Sequence, residues 1–292
     1  MTILDDLVSK LSLERIEVNL YRGQSEDPGW GIVYGGHVLG QALSAAQHTV
    51  SAERRVHSLH AYFLRPGDVK IPIVYDVDRS RDGTSFTTRR VTAIQNGEAI
   101  FNLAASFQTP EAGFEHQDEM PRVPAPESVP TEQERLANEA HRFPEFMRGR
   151  ALKPRPIEIR TIDEPDPLGG MVGTAQRAVW FRAIHRLPDD LPGVHEALLA
   201  YASDASYLTT ALRPHGASWL TPGMQIASID HAVWFHAPFR ADEFLLHVIH
   251  SPRASGGRGF VTGKIFARDG RLVASTAQEG LIRRRAAKQK SP

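Results

Sequence analysis

One carboxylate in the second half of the sequence lies in a setting suited to acid–base chemistry. Asp204 is flanked at helical spacing by Ala197, Tyr201, Leu208 and Ala211. This spacing predicts that the carboxylate lies on a largely apolar helix face. Burying an unpaired carboxylate costs roughly several kcal/mol. Asp204 is therefore either a functional general base or a residue that bonds to a nearby backbone or hydroxyl group.

Two more polar residues occur where their neighbours are apolar. Ser228 lies between Ile226 and Ile229, and Gln278 follows Ala277 near the end of a predicted strand. Serine in a strand is usually structural, and glutamine at a strand end is usually solvated. On the residue pattern alone, Ser228 and Gln278 are candidates for a site rather than assignments.

The composition excludes several kinds of catalytic centre. The chain has no cysteine, which excludes a thiol nucleophile, disulfides and thiolate metal sites. It has neither a Gly-x-Ser-x-Gly elbow nor a His-Glu-x-x-His motif, so we expect no serine α/β-hydrolase site, no metal and no other cofactor. The strand histidines are interpreted as hydrogen-bonded core or surface residues: His57, His60, His231 and His236.

Charge and hydropathy limit the classes of partner and location. Lys and Arg number 34, as do Asp and Glu, so the chain is unlike a basic nucleic-acid-binding protein. No stretch approaches the roughly 18 apolar residues of a membrane span. Together with the absence of cysteine, these features lead us to expect a cytoplasmic protein with no nucleic-acid partner and no membrane span.

The first hundred residues indicate two helices and a set of strands. Residues 4–11 have helical spacing, residues 16–20 alternate as a strand, and residues 38–49 form a helix with small or apolar residues nearly all round. Asn96-Gly97 predicts a type I′ hairpin turn. Four strand-like runs follow the second helix: Val56–Leu64, Ile71–Val77, Phe86–Ile94 and Ala99–Phe107.

The second half repeats this order of elements. A helix is predicted at Val194–Leu212, and Asp269-Gly270 occupies the later hairpin position. The predicted strands are Ala178–Ile184, Gln225–His236, Phe244–His250, Gly259–Phe266 and Leu272–Gln278.

Between the two halves the composition changes. Residues 109–156 are rich in proline and charge, which is typical of a linker, and the pattern allows one helix from Leu136 to Met147. We therefore divide the chain into an N-terminal unit at 1–115, a linker at 116–156 and a C-terminal unit at 157–292.

Each unit is expected to contain a helix that is apolar on most faces and a set of antiparallel strands. Such a helix must be covered on most sides, which a strongly curved sheet can do. The edge strand that one unit leaves can pair with that of the other. The sequence therefore predicts an α+β protein of two tandem units whose sheets join into one.

Seven segments, in order and across both halves, carry a recognisable pattern: Arg22–Asp27, Val33–Gly36, His57–Asp68, Asp82–Phe86, Tyr201–Asp204, Ile229–His231 and Ala274–Gly280. They resemble the acyl-CoA thioesterase II (TesB) family. The resemblance implies a double hotdog fold, in which each central helix is wrapped by a curved antiparallel sheet. It also implies hydrolysis of (fatty) acyl-CoA to free acid and coenzyme A, a reaction of lipid metabolism.

The resemblance further implies a catalytic set in the C-terminal unit. The family's acidic residue on the second hotdog helix matches Asp204, and its glutamine at the end of the last strand matches Gln278. Ser228 stands where the family has threonine, which keeps the hydroxyl but loses the methyl group that restricts χ1. With no cysteine and no serine elbow, the expected nucleophile is a water molecule held by these three residues.

Two other functions stay open. A hotdog enoyl-CoA hydratase or dehydratase would use a His–Asp pair, for which Asp230-His231 is the one neighbouring candidate. Adjacent strand residues point to opposite faces, however, which makes this pair a poor dyad. A noncatalytic acyl-CoA-binding protein would keep the fold without the chemistry.

We expect one site per chain and assembly into a homo-oligomer. The helix region Val38–Ala46 carries no carboxylate, and Ala105 lies near the position equivalent to Gln278. Arg65, Arg89 and Arg258 are candidates for contacts with coenzyme A phosphates, although each also fits an ordinary surface charge.

Overall fold

The computed structural model describes residues 1–29, 31–143, 145, 148–149, 153–163, 168–205 and 207–285. The first unit consists of α1 (Ile3–Ser12), β1 (Glu14–Glu17), β2 (Leu20–Gly23), α2 (Gly35–Gln47), β3 (Arg55–Phe63), β4 (Ile73–Asp82), β5 (Phe86–Gln95) and β6 (Glu98–Gln108). A connecting segment follows, with α3 (Glu132–Glu139) between short 3₁₀ turns at Pro126–Ser128 and Ala140–Arg142. The second unit consists of β7 (Ile157–Thr161), β8 (Gln176–Ala183), α4 (Val194–Ser203), a 3₁₀ helix (Leu208–His215), β9 (Met224–Ser228), β10 (Asp230–Phe235), β11 (Leu245–Ser255), β12 (Arg258–Ala267) and β13 (Leu272–Arg284).

The strands of both units form one antiparallel sheet. Its order is β1-β2-β4-β5-β6-β3-β10-β13-β12-β11-β8-β7, and β9 pairs with the C-terminal part of β13. The units join where β3 pairs with β10, with Tyr62 opposite Asp230 and Ser58 opposite Trp234. Each unit therefore covers an edge strand of the other, as expected from the predicted pairing of edges.

Helix α2 is buried on almost every side, as its composition predicted. All residues from Gly36 to Ala46 are buried, and the helix packs against β2 to β6 and against α4. Its one buried amide, Gln41, donates to the backbone carbonyls of Lys10 and Gln24 and accepts from the Tyr75 hydroxyl. The amide is thus satisfied inside the core.

Helices α2 and α4 pass each other at short range. A Cβ atom at Gly36 would overlap with the carbonyl oxygen of Tyr201, and one at Gly40 would lie 3.0 Å from the carbonyl oxygen of Ala197. Glycine at these positions allows the two backbones to approach closely. The contacts run antiparallel, so the N-terminus of α2 lies beside the C-terminus of α4.

The two central hairpins differ in their turns. Asn96 and Gly97 have φ of 51° and 77°, and Gln95 pairs with Glu98, which confirms the predicted type I′ turn. The Asp269-Gly270 hairpin also forms, but there the N–H of Ala267 bonds to the carbonyl of Arg271 and the loop is longer.

The predicted helix at Val194–Leu212 is wrong in its C-terminal half. Helix α4 ends at Ser203, and a separate 3₁₀ helix begins at Leu208. The Ser203 hydroxyl bonds to the carbonyl oxygen of Ala200, and short polar side chains of this kind compete with helical backbone bonds. Asp204 consequently lies at the end of the helix rather than inside it.

The linker helix is also shifted from its predicted position. It spans Glu132–Glu139 instead of Leu136–Met147, because a capping box between Thr131 and Glu134 sets its start. Residues 144, 146 and 147 of the prediction lie outside the described residues. No helix within the described ranges is long and apolar enough to cross a membrane.

Two predicted strands are interrupted. Residues 16–20 do not form one strand, because Asn19 with φ of 65° makes a tight turn between β1 and β2. The predicted strand Gln225–His236 is divided at Ile229 into β9 and β10.

The helix–helix contact predicts the effect of one added methyl group. Gly36→Ala should lower the free energy of unfolding by about 1–3 kcal/mol, because the new Cβ must push the backbone of Tyr201 away. The measurement is chemical denaturation of the wild type and the variant, monitored by circular dichroism. Gly113→Ala, where a Cβ meets open space, should change stability by less than about 0.5 kcal/mol. Equal stabilities of the two variants would contradict a packing role for Gly36.

Candidate active site

The three side chains singled out from the sequence meet in the structure. The side-chain amide of Gln278 donates to Oδ1 of Asp204 at 2.6 Å and to the hydroxyl of Ser228 at 3.1 Å. The Ser228 hydroxyl donates to the same Oδ1 at 3.3 Å. Gln278 is buried, whereas Asp204 and Ser228 are partly exposed. Oδ1 of Asp204 therefore accepts two hydrogen bonds, and Oδ2 takes part in neither of them.

A β-bulge orients Ser228 toward this cluster. Ser228 pairs with Gly280, and Ala232 pairs with Ala277. From the first pair to the second, the chain moves four residues along β9 and β10 but only three residues along β13. One extra residue is therefore inserted near Ile229. In a regular strand Ser228 and His231 would point to opposite faces, since they are three positions apart. The bulge lets both face the interior.

Asp204 lies where two helix ends meet. It is the C-cap residue of α4, the negative end of that helix dipole. A Cβ atom at Gly35 would lie 2.7 Å from Oδ2 of Asp204, so the N-terminus of α2 approaches the carboxylate. The first N–H groups of any helix have no partner inside it, and Tyr34 caps α2 without a side-chain hydrogen bond. The positive end of α2 thus faces the carboxylate and the space beside it.

The cluster opens into a cavity of about 500 Å³. Its walls are mainly apolar and come from both units, so the site is not made by the C-terminal unit alone. The wall residues of the first unit include Val33, Val38, Phe63, Ile100 and Phe101. Those of the second unit include Tyr207, Leu208, Trp219 and Ile226.

Tyr34 joins the two helix ends. Its hydroxyl donates to the carbonyl oxygen of Tyr201 in the last turn of α4, at 2.8 Å. Burial raises the pKa of the Tyr34 hydroxyl well above its usual value, and the negative charge of Asp204 adds to this effect. Tyr34 therefore remains a neutral donor that holds the end of α4 against the start of α2.

The Asp230-His231 pair does not form a dyad. Asp230 accepts a hydrogen bond from the backbone N–H of Glu279 at 2.6 Å, whereas His231 is fully buried and bonds to Ser203. Burial raises the pKa of Asp230 and lowers that of His231. The two side chains face different surroundings, as the alternation of strand residues predicted.

The other singled-out histidines lie on the outer side of the sheet. His57 bonds to the Ser106 hydroxyl, His60 packs edge-on against Trp234, and His236 bonds to the Ser275 hydroxyl. Within the described part of the chain, no group of three or more His, Asp or Glu side chains is placed to hold a metal ion.

Sequence reasoning did not identify the residues that the first unit contributes. Gly35 and Tyr34 lie in the motif segment Val33–Gly36, to which the sequence assigns no role in the site, and Phe63 lies near the end of a predicted strand. The contact between α2 and α4 brings these residues to the site.

Comparisons with known proteins show the family to which the chain is similar. A family model described as acyl-CoA thioesterase matches residues 149–281, and one described as acyl-CoA thioesterase N-terminal domain matches residues 26–108. Acyl-CoA thioesterase 2 of Haemophilus influenzae is 45% identical over 281 residues, which cover 96% of this chain and 98% of that protein. Acyl-coenzyme A thioesterase 8 of Homo sapiens is 40% identical over 94% of this chain and 87% of its own length.

Solved structures show the same fold. Acyl-CoA thioesterase II TesB2 from Mycobacterium marinum superposes with a TM-score of 0.77 at 42% identity, and the match covers 96% of this chain and 99% of that one. The dehydratase domain of RzxB from Pseudomonas fluorescens matches with a TM-score of 0.53 at 12% identity, a likeness of fold alone.

The fold and these matches define a double hotdog protein of the thioester hydrolase class. The chain belongs to the acyl-CoA thioesterase II (TesB) family. The family, the fold and the enzyme class that the sequence predicted are thereby confirmed.

The contact between Gly35 and Asp204 predicts a selective loss of activity. Gly35→Ala should lower kcat by about 10²-fold, because its methyl group would displace Oδ2 of Asp204 by a distance of ångström scale. The melting temperature should stay near that of the wild type, since the clash is with the end of a side chain. Steady-state kinetics with an acyl-CoA checks this, with Gly113→Ala as control. Wild-type kcat in Gly35→Ala would show that the spacing is not critical.

Proposed function

We propose that this protein hydrolyses (fatty) acyl-CoA to free acid and coenzyme A with a water molecule activated by Asp204. The observation that carries the proposal is the Asp204 carboxylate, which Gln278 and Ser228 hold at the N-terminus of α2 beside an apolar cavity. A base and a group of backbone donors then lie on two sides of one space. A thioester carbonyl placed there meets both.

Asp204 is proposed as the general base. Its Oδ1 accepts from Gln278 and Ser228, and neither bond uses Oδ2, which accepts a proton from water in this mechanism. Water adds to the thioester carbonyl carbon while its proton passes to Oδ2. The partners of Asp204 are an amide and a hydroxyl, which orient the carboxylate without neutralising its charge.

The N-terminus of α2 is proposed to stabilise the oxyanion. The N–H groups of Gly35 and Gly36 are unused by the helix and lie at the positive end of its dipole. When the tetrahedral intermediate collapses, the carbon–sulfur bond breaks and the leaving sulfur takes the proton from Asp204. One water and one thioester thus give one acid and one thiol, and Asp204 is again ionised.

The lining of the cavity suits both the acyl chain and the coenzyme A part of the proposed substrate. Its apolar walls suit an acyl chain, and Arg65 is the one cationic side chain among its described lining residues. Arg65 is half exposed and pairs with Glu98, so it lies where a phosphate of coenzyme A could replace the carboxylate. Arg89 is excluded from this role, because it is fully buried and bonded to Thr49 and Asp82.

The rival functions receive less support from the geometry. A hydratase or dehydratase would need a His–Asp pair at the cavity, and Asp230 and His231 do not supply one. A noncatalytic acyl-CoA-binding protein would have no need for the hydrogen-bonded set of Asp204, Ser228 and Gln278.

Domain limits, location and assembly are also proposals. We place the units at 1–115 and 157–292 with a linker at 116–156, which agrees broadly with the separate segments matched by the two family models. The absence of cysteine supports a cytoplasmic location. Assembly into a homo-oligomer is likewise a proposal.

Asp204→Asn tests the base directly. Asn is nearly isosteric but accepts no proton, so kcat should fall by about 10²–10⁴-fold while KM changes little. Ser228→Ala and Gln278→Ala should each cost less, and their losses should be non-additive with Asp204→Asn because all three serve one water. The measurement is release of free thiol from a saturated acyl-CoA.

The control for Asp204→Asn is Asp230→Asn, which changes a nearby carboxylate that bonds to a backbone N–H outside the cavity. It should keep wild-type kcat. A folded Asp204→Asn enzyme with wild-type kcat would remove Asp204 from the mechanism. Absence of thiol release by the wild type would favour the noncatalytic alternative.

Arg65→Ala tests the position of the nucleotide. KM should rise by about two- to fivefold with kcat unchanged, since a solvent-exposed ion pair contributes about 0.2–1 kcal/mol. The difference in KM between Arg65→Ala and the wild type should shrink as salt is added, because exposed charges are screened. Arg258→Ala is the matched control, since Arg258 pairs with Glu279 and does not line the cavity. An unchanged KM at low salt would place the phosphates elsewhere.

A further inference from the structure

His231 is a fully buried histidine directly behind the proposed catalytic set. Its Nε2 lies 2.9 Å from the hydroxyl oxygen of Ser203, the residue that precedes Asp204. The bond joins β10 to the last turn of α4. Because His231 does not line the cavity, it can act on a substrate only through the residues that it holds.

The hydrogen bonds of Ser203 define the state of the ring. The Ser203 hydroxyl donates to the carbonyl oxygen of Ala200 at 3.0 Å, so its oxygen accepts from Nε2–H of His231. Nδ1 has no hydrogen-bond partner among the residues that the structure describes. Burial lowers the pKa of His231, opposed by the negative charge of Asp204, which agrees with a neutral ring protonated on Nε2.

A buried polar atom without a partner is unfavourable for folding. Such an atom costs about 1–3 kcal/mol, and a leucine of similar volume would avoid the loss. Packing alone therefore gives no reason for histidine at this position.

The first unit shows that the fold accepts leucine at the equivalent place. Leu59 in β3 is also fully buried, and Pro66 follows it by seven residues, as Pro238 follows His231. The two positions thus correspond in the repeated order of elements.

The residue that faces this position on the neighbouring strand also differs between the two units. Leu59 lies opposite Ala105, and the register of β10 with β13 puts His231 opposite Gln278, one step beyond Ala232–Ala277. Ala105 and Gln278 each follow the first residue of their hairpin turn, Asn96 or Asp269, by nine residues. A Leu–Ala pair in the first unit is therefore replaced by a His–Gln pair in the second, next to Asp204.

We infer that His231 is a positioning residue, which fixes the end of α4 through Ser203 and thereby the direction in which Asp204 presents its carboxylate. The inference rests on the proposed role of Asp204. Helix α4 ends at Ser203, and the N–H of Asp204 makes the cap hydrogen bond to the carbonyl of Ala202. The Ser203–His231 bond adds an attachment to a rigid central strand of the sheet.

His231→Leu separates positioning from packing. It should lower kcat by about 10- to 100-fold, because a misplacement of about 1 Å can cost 10²-fold. KM should stay near the wild-type value. The melting temperature should be equal to or higher than that of the wild type, since an unpartnered polar atom is removed. Parallel loss of turnover and of stability would indicate a merely structural role and overturn the inference.

His231→Gln and Ser203→Ala complete the experiment. Gln keeps a side-chain N–H that can reach Ser203, so it should recover most of the turnover that the Leu variant loses. Ser203→Ala should resemble His231→Leu, and the double variant should be no worse than either single one. Additive losses, or wild-type kcat in Ser203→Ala, would contradict the inference.

Two further variants make the outcome specific. His236→Leu removes a His–Ser hydrogen bond of the same kind from the outer side of the sheet, and it should keep wild-type kcat. The kcat of Asp204→Asn is measured in the same assay. If Asp204→Asn is inactive and His231→Leu is fully active, only the positioning role fails. If Asp204→Asn is fully active, the proposed mechanism and the positioning role fail together.

Discussion

The close approach of α2 and α4 is the constraint on which the rest of the molecule depends. Gly36 and Gly40 bring the two backbones together, because any side chain there would meet a carbonyl group of the facing helix. The antiparallel contact then sets the start of one helix against the end of the other. At Gly35 this geometry places unused N–H groups beside Asp204, so the same packing that closes the core also builds the polar site.

Asp204 illustrates how a carboxylate can be held in a half-buried place without a cation. Its described partners are the amide of Gln278 and the hydroxyl of Ser228, and the dipole of α2 provides positive potential from a third side. These neutral partners fix the orientation of the carboxylate, which the proposed mechanism needs for a water molecule at Oδ2.

The two units show how a duplicated fold can divide its tasks. The first unit has Leu59 and Ala105 on the inner face of its central strands, and it contributes the start of α2 and part of the cavity. The second unit has His231 and Gln278 at the matching positions, beside the end of α4. Neither unit has both the helix N-terminus that faces the cavity and the carboxylate. The pairing of β3 with β10 is therefore a condition for the site as well as for the sheet.

The sequence by itself determined the order of elements, the repeat, the I′ turn at Asn96-Gly97 and the family, because these follow from local spacing and short motifs. It also indicated Asp204 and Gln278 through those motifs, and Ser228 as the hydroxyl at the family's threonine position. Only the tertiary structure decided that α4 ends at Ser203, that a bulge near Ile229 turns Ser228 inward and that α2 of the other unit completes the site. The bulge and the completed site arise from contacts between residues far apart in the chain, and such contacts leave no periodic signal in the sequence. The local bond between Ser203 and Ala200 at the end of α4 leaves none either.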